Sequence, residues 1–236
     1  MLRAITWNCR HQGFARRAQA LADALARLEP DVLFLQELPW HEGPAFVDEL
    51  GARLGLSAVF QRPEPHQTLT WHGTALLARG PLTPIPRGWA EGAPLPGLLE
   101  AATLTLGGRT VELGSVHIPN GTSYGWHKIF TLQALHRVLE ARPQTPRIIG
   151  GDFNCPIREE GERVWTGAVG TTTLEPWGEW TDRFGNSGHD REWDRVEGRP
   201  FRGELPVRDV YRATHPLAPG VAEEAYSHLS KNRRCR

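Results

Sequence analysis

The spacing of apolar and polar positions divides this chain into helices and strands before any single residue is weighed. Ala18, Leu21, Ala22, Leu25 and Leu28 return at helical spacing, and Pro30 stops the run. Residues 45–54 carry a second, weaker amphipathic helix. A third is predicted over 124–139, with Ile129, Leu132, Leu135, His136 and Leu139 along one side. Residues 98–106 and 109–117 read as strands flanking Gly107-Gly108, a two-residue hairpin signal. Two βα-type segments around a hairpin-rich centre predict α/β architecture, with packed mixed β-sheets and helices outside. At 236 residues, one two-layered domain over 1–236 is the simplest reading, with ample chain for a core. The chain has no internal repeat and no low-complexity linker.

Four apolar runs end in short polar clusters. Leu2-Arg3-Ala4-Ile5 leads to Thr6-Trp7-Asn8-Cys9, and Val32-Leu33-Phe34-Leu35 leads to Gln36-Glu37. The run from Val111 to Val116 leads to His117-Ile118-Pro119-Asn120-Gly121, and Arg147-Ile148-Ile149 leads to Gly150-Gly151-Asp152-Phe153-Asn154. Taken singly, each has an ordinary structural reading. An Asn or a Gln-Glu pair at a strand end is a common turn former, a lone His is commonly a satisfied structural residue, and Asp-x-Asn after two glycines makes an Asx-type turn. Strands of one sheet, however, bring their carboxyl ends to one rim. An amide, a carboxylate, an imidazole and an Asp-x-Asn pair gathered there suit a hard divalent cation and a water attacking phosphate.

Composition narrows this a little. Formal net charge is zero and the pI is about 7.2, so the chain has no global electrostatic footprint for nucleic acid, although a local basic groove remains open. The basic run Lys231-Asn232-Arg233-Arg234-Cys235-Arg236 reads as a solvated tail. Three cysteines, Cys9, Cys155 and Cys235, without CxxC spacing argue against a disulfide framework and for reduced thiols in a cytoplasmic protein. Cys9 and Cys155 stand beside the polar clusters and are read as small buried side chains behind the rim. The run from Met1 to Asn8 holds no hydrophobic stretch long enough to be expected as a signal peptide, and no later stretch reaches membrane-spanning length. Residues 156–206 lack a clean period and interleave Trp165, Trp177, Trp180 and Trp193 with Arg158, Arg163, Arg183, Arg191 and Arg195. Such residues can stack on bases and grip phosphates, but pinning a long loop to the body of the domain is the preferred reading.

Trp7-Asn8, Gln36-Glu37, His117-x-Pro-Asn120-Gly and Gly151-Asp152-Phe153-Asn154, in that order, resemble the signatures of the endonuclease/exonuclease/phosphatase superfamily. The resemblance covers nearly the whole chain and implies a DNase I-like four-layer α/β/β/α sandwich. It implies Glu37 as the primary Mg²⁺ ligand, with Mn²⁺ as a substitute, and Asn8 beside the metal, holding Glu37 or a metal-bound water. Asp152 would orient or deprotonate the attacking water, Asn154 would donate to a phosphate oxygen, and His117 would contact the phosphate. Asn120 and Lys128 stand where family members often touch the substrate backbone. Nucleic acid is the implied substrate, with a phospholipid or phosphoinositide phosphoester as the alternative.

One departure stands against the match. The superfamily pattern continues into an Arg-Ile-Asp-type strand and a Ser-Asp-His motif, whereas this chain reads Ala225-Tyr226-Ser227-His228 and then the basic run. Ser187-Gly188-His189-Asp190 is a superficial echo with no apolar strand after it, and the stretch from Val207 to Pro216 resembles the helix that precedes the missing part. The expectation is therefore a C-terminally incomplete domain, either truncated or naturally short, with reduced activity. A non-catalytic binding module with a decayed site is the reading from another class, opposed by the intact Asn8, Glu37, His117, Asp152 and Asn154.

Overall fold

The computed structural model describes residues 2–60, 72–86, 89–154, 157–160, 163–166, 179–199, 203–208 and 222–225. Contacts gather into two compact units, one formed by Met1–Pro119 with Gln144–Phe153, the other by Asn120–Pro143 with Asn154–Arg236.

Two four-stranded mixed sheets make up the first unit. One runs Ala4–Asn8 (β1), Val32–Pro39 (β2), His72–Ala78 (β4), Ser57–Val59 (β3); the other runs Leu82–Pro84 (β5), Leu99–Leu106 (β6), Arg109–His117 (β7), Arg147–Asp152 (β8). The pairs β1/β2 and β7/β8 are parallel, and the remaining neighbours are antiparallel. Strand β2 explains how the layers are held. Leu33 and Leu35 join Leu21 and Leu25 of helix α1 (Ala18–Arg27) and Phe46 and Leu50 of helix α2 (Gly43–Leu54) in one buried cluster. Val32 and Phe34, on the opposite face, join Leu104 and Leu113 of the second sheet. A two-residue period with both phases apolar is what a strand buried on both faces requires. Each such side chain contributes roughly 1.5–3 kcal/mol on burial.

Phe34 also explains a glycine. A Cβ on Gly150 of β8 would lie 2.3 Å from the Phe34 ring, so the sheets close at this point only over a residue without a side chain. The hairpin between β6 and β7 is as the sequence predicts: Gly107 (φ 56°) and Gly108 (φ 77°) are both left-handed, which a tight two-residue turn needs.

The second unit holds a short helix α3 (Gly121–Tyr124), helix α4 (His127–Ala141) and helix α5 (Asp190–Gly198). Its strands are Ile157–Glu160 (β9), Arg163–Thr166 (β10), Glu179–Thr181 (β11), Ser187–His189 (β12) and Ala222–Ala225 (β13). The predicted helix over 124–139 therefore starts later, with α3 and α4 separated at Gly125. Trp193 of α5 stands edge-on to Trp126 at 5.3 Å between ring centres, and both are buried. This aromatic pins its segment, as the packing reading of residues 156–206 supposes. Trp177 and the side chains of Trp165, Trp180, Arg158 and Arg163 lie outside the described residues, as do Cys155, Cys235 and the basic run. Arg183 lies over the half-exposed Phe184 ring at 4.7 Å, while Arg191 and Arg195 are exposed. No helix among the described residues is long and apolar enough to cross a membrane.

Candidate active site

The parallel pairs β1/β2 and β7/β8 place Asn8 opposite Gln36 and His117 opposite Asp152, each pair at the carboxyl end of its strands. Ser115 and His117 project to one face of β7, and Gly150 and Asp152 to the matching face of β8. That is the face toward the first sheet: the Gln36 amide donates to Ser115 Oγ at 3.3 Å, and Thr6 Oγ1 donates to Gln36 Oε1 at 3.3 Å.

Strict alternation along β2 would turn Glu37 the other way, onto the side of Leu33 and Leu35. A β-bulge prevents this. Leu35 pairs with Ala75 and Leu38 with Gly73, so Gln36 and Glu37 together oppose Thr74, and Glu37 is left-handed at φ 56°. An inserted residue of this kind re-aims a side chain at some conformational expense, on the order of 1–3 kcal/mol for a non-glycine residue in this region.

Asn8 is the hub. Its amide nitrogen donates to Glu37 Oε1 at 3.0 Å and to Asp152 Oδ2 at 2.9 Å, while its oxygen accepts from the Arg10 backbone N–H at 2.9 Å. Both amide hydrogens are thus committed to carboxylates, one from each sheet. Glu37 Oε2 meets His11 Nδ1 at 2.9 Å and accepts from the His11 backbone N–H at 3.3 Å. His117 Nε2 stands 3.9 Å from Glu37 Oε1. Behind these, the His72 ring lies between His11 (4.6 Å, stacked) and His117 (5.2 Å).

The charges follow from this arrangement. Burial works to raise the Glu37 carboxyl, but the Asn8 hydrogen bond, the facing imidazoles and the His11 contact outweigh it and lower it to about 2. Burial lowers His117, against the pull of Asp152 and Glu37, and takes His72 down to about 3. Both histidines are neutral at neutral pH. Cys9 is buried and free, and burial pushes its thiol up to about 12, which removes it as a nucleophile.

The donor set suits a magnesium-type ion. It offers an ionised carboxylate with a second carboxylate tied to it through one amide, all hard oxygens. No cluster of three or more His, Cys, Asp or Glu side chains forms a ligand cage among the described residues. An ion that keeps most of its waters and takes one or two protein carboxylates asks for no such cage.

The remaining expected residues belong to the second unit. Asn154 is left-handed at φ 48°, and its carbonyl accepts from Lys128 Nζ at 2.7 Å. Lys128 is itself buried and ion-paired with the fully buried Glu197, which also accepts from Trp193 Nε1 at 3.0 Å. An ammonium held this way packs the unit. The signal was present in the sequence: Lys128 lies four, seven and eleven residues before Leu132, Leu135 and Leu139, on the inward face of α4. Asn120 is exposed and caps α3, its Oδ1 accepting from the Ser123 N–H at 2.7 Å. Sequence reasoning missed His11 and His72. Neither stands in a recognisable cluster, and only the bulge and the loop after β1 bring them to Glu37.

A family model described as the Endonuclease/Exonuclease/phosphatase family matches residues 5–217. Among solved structures, an AP endonuclease from Archaeoglobus fulgidus is similar at a TM-score of 0.51 and 21% identity, over 65% of this chain and 58% of that one. ANGEL2, a 2',3'-cyclic phosphatase, is similar at 0.50 and 14%, over 64% and 52%. A humanized D. rerio TDP2 gives 0.46 and 23%, over 65% and 62%. The chain thus spans 52–62% of the length of these three structures. No curated protein matches the sequence. The fold is DNase I-like, with two mixed sheets and flanking helices. Because the family match runs through all four polar clusters and well beyond the last, the chain belongs to the endonuclease/exonuclease/phosphatase family of hydrolases.

Proposed function

We propose that this protein is a Mg²⁺-dependent phosphodiesterase acting on nucleic acid by direct attack of water. The observation that carries the reading is the Asn8 amide joining the Glu37 and Asp152 carboxylates across the two sheets, with the His117 ring beside them. Glu37 would hold the ion, with Asn8 keeping its carboxylate in place. A bound magnesium ion supplies polarisation of the phosphate and offsets the charge that develops on it.

The chain's own groups do the rest. Asp152 orients the water and takes its proton as the new P–O bond forms and the ester P–O bond on the far side breaks. Asn8 keeps this carboxylate from swinging away by donating to Oδ2. His117, neutral through burial, contacts a phosphate oxygen as a hydrogen-bond donor rather than as a cation.

The AP endonuclease among the structural neighbours makes DNA the first substrate to try. Plasmid, single-stranded and abasic-site DNA would be incubated with Mg²⁺ or EDTA, with Asp152→Ala as control. The expected result is strand cleavage that needs Mg²⁺ and falls at least about a thousandfold in the variant. Release of inorganic phosphate or a lipid headgroup, with no strand cleaved, would replace the nuclease reading with a phosphatase or lipid one. No turnover of any phosphoester by folded protein would favour the decayed module.

A further inference from the structure

The two oxygens of the Glu37 carboxylate are fixed by different residues. Oε1 is held by Asn8. Among the described residues, Oε2 is held by His11, through both its ring and its backbone N–H. His11 comes from the loop between β1 and α1, and loops seldom position groups to tenths of an ångström unless something braces them.

This loop is braced at three points. The Arg17 guanidinium donates to the Cys9 carbonyl at 3.2 Å, to the Arg10 carbonyl and to the Gln12 carbonyl at 3.0 Å. Arg10 is left-handed at φ 55°, and its N–H donates to Asn8 Oδ1 at 2.9 Å. The His11 ring then rests on His72 at 4.6 Å with only 22° between the planes, and His72 is buried at the start of β4. Arg17, Asn8 and His72 therefore fix the loop from behind, from its base and from the ring face.

Resting on the assignment of Glu37 to the cation, we propose that His11 is a positioning residue for the metal site, its Nδ1–H orienting the Glu37 carboxylate that would hold the ion. Hydrogen-bonded partners of a ligating carboxylate commonly set metal affinity by ten- to a hundredfold. His11 touches neither substrate nor reacting atoms in this role. It acts through Glu37 alone.

The test is titration of the full chain with Mn²⁺, followed by calorimetry and by the electron-spin resonance of free Mn²⁺. Three variants are compared with the unaltered protein. His11→Phe keeps a ring to stack on His72 but has no donor. His11→Asn keeps a donor at the Nδ1 position but loses most of the ring. Glu37→Gln defines the signal that belongs to the site. The expected result is Mn²⁺ affinity about tenfold weaker in His11→Phe and within about threefold of the unaltered protein in His11→Asn. Equal affinity in His11→Phe and the unaltered protein would overturn the proposal while leaving the Glu37 site standing. So would His11→Asn being as weak as His11→Phe, which would point to the ring stack instead of the hydrogen bond. Unaltered protein with no Mn²⁺ uptake sensitive to Glu37→Gln would overturn both the Glu37 assignment and the role of His11.

Discussion

Each of the two units holds a carboxylate at least partly withdrawn from solvent, and each treats it differently. In the second unit Glu197 is fully buried and answered by a cation, Lys128, whose side chain is only 3% exposed. In the first unit Glu37, at 21% side-chain exposure, shares the neutral Asn8 amide with Asp152. A buried ion pair is closed electrostatically and resists loss of either partner. Two carboxylates joined through a neutral amide gain no cation from it and still have solvent beside them. The first arrangement is spent on holding α4 and α5 together, whereas the second is the one to which the proposed function assigns a cation.

The comparison can be broken by exchanging what each cluster depends on. Asp152→Asn should lower kcat about a thousandfold, equivalent to about 4 kcal/mol, with little change in Tm. Cleavage kinetics beside a thermal melt would check it. Lys128→Met should do the reverse, since it leaves Glu197 buried without its cation and is expected to destabilise the protein by about 3 kcal/mol. Adding Glu197→Leu should recover much of that loss, and urea unfolding of the single and double variants would show it.

Acid should then act on both units. The Glu37 carboxyl is lowered to about 2, and the His72 and His136 rings to about 3 and about 4, in each histidine chiefly by burial. The unfolded chain takes up these protons first, so all three groups stabilise the fold at neutral pH. The histidine contributions begin to fade below about pH 6.5, and the Glu37 contribution fades below about pH 4.5. His136→Phe should flatten the first part of that fall, by on the order of 2 kcal/mol between pH 6.5 and 4. Denaturant midpoints at stepped pH values would measure this. The smallest expected effect is that of Gly150→Ala, which forces the Phe34 ring aside and should cost about 1–2 kcal/mol. Phe34→Leu in the same chain should relieve part of it.

Much of the fold could be read from the chain because local chemistry and tertiary packing agree there. Both phases of β2 are apolar and both faces are buried; Gly107-Gly108 forms its turn; α1 closes before Pro30. The four polar clusters were legible in part: parallel register carries Asn8 with Gln36 and His117 with Asp152 to shared strand ends, but the two pairs lie in two sheets rather than the one expected, and packing of the sheets face to face brings them together. What stayed hidden depends on departures from local rules. The bulge at Gln36-Glu37 breaks the alternation from which the direction of a side chain would be inferred. His11 reaches Glu37 from an irregular loop, and Lys128 is a charged residue on an inward face, where residue type and periodicity disagree. In that last case periodicity was the better guide.

The Asn8 amide also works as a gauge of the distance between two layers. Glu37 rides on one sheet and Asp152 on the other, and the two hydrogen bonds joining them through Asn8 are 3.0 and 2.9 Å long. Sliding of the sheets by a fraction of an ångström would loosen this link while most of the apolar contacts between Phe34, Leu104 and Leu113 persist. If the proposed hydrolysis depends on this link, mild denaturant should abolish it before the tertiary signal of the core begins to fall. On this basis the working range of the protein is narrower than its folded range, and the gap between them measures how firmly the sheets are held in register.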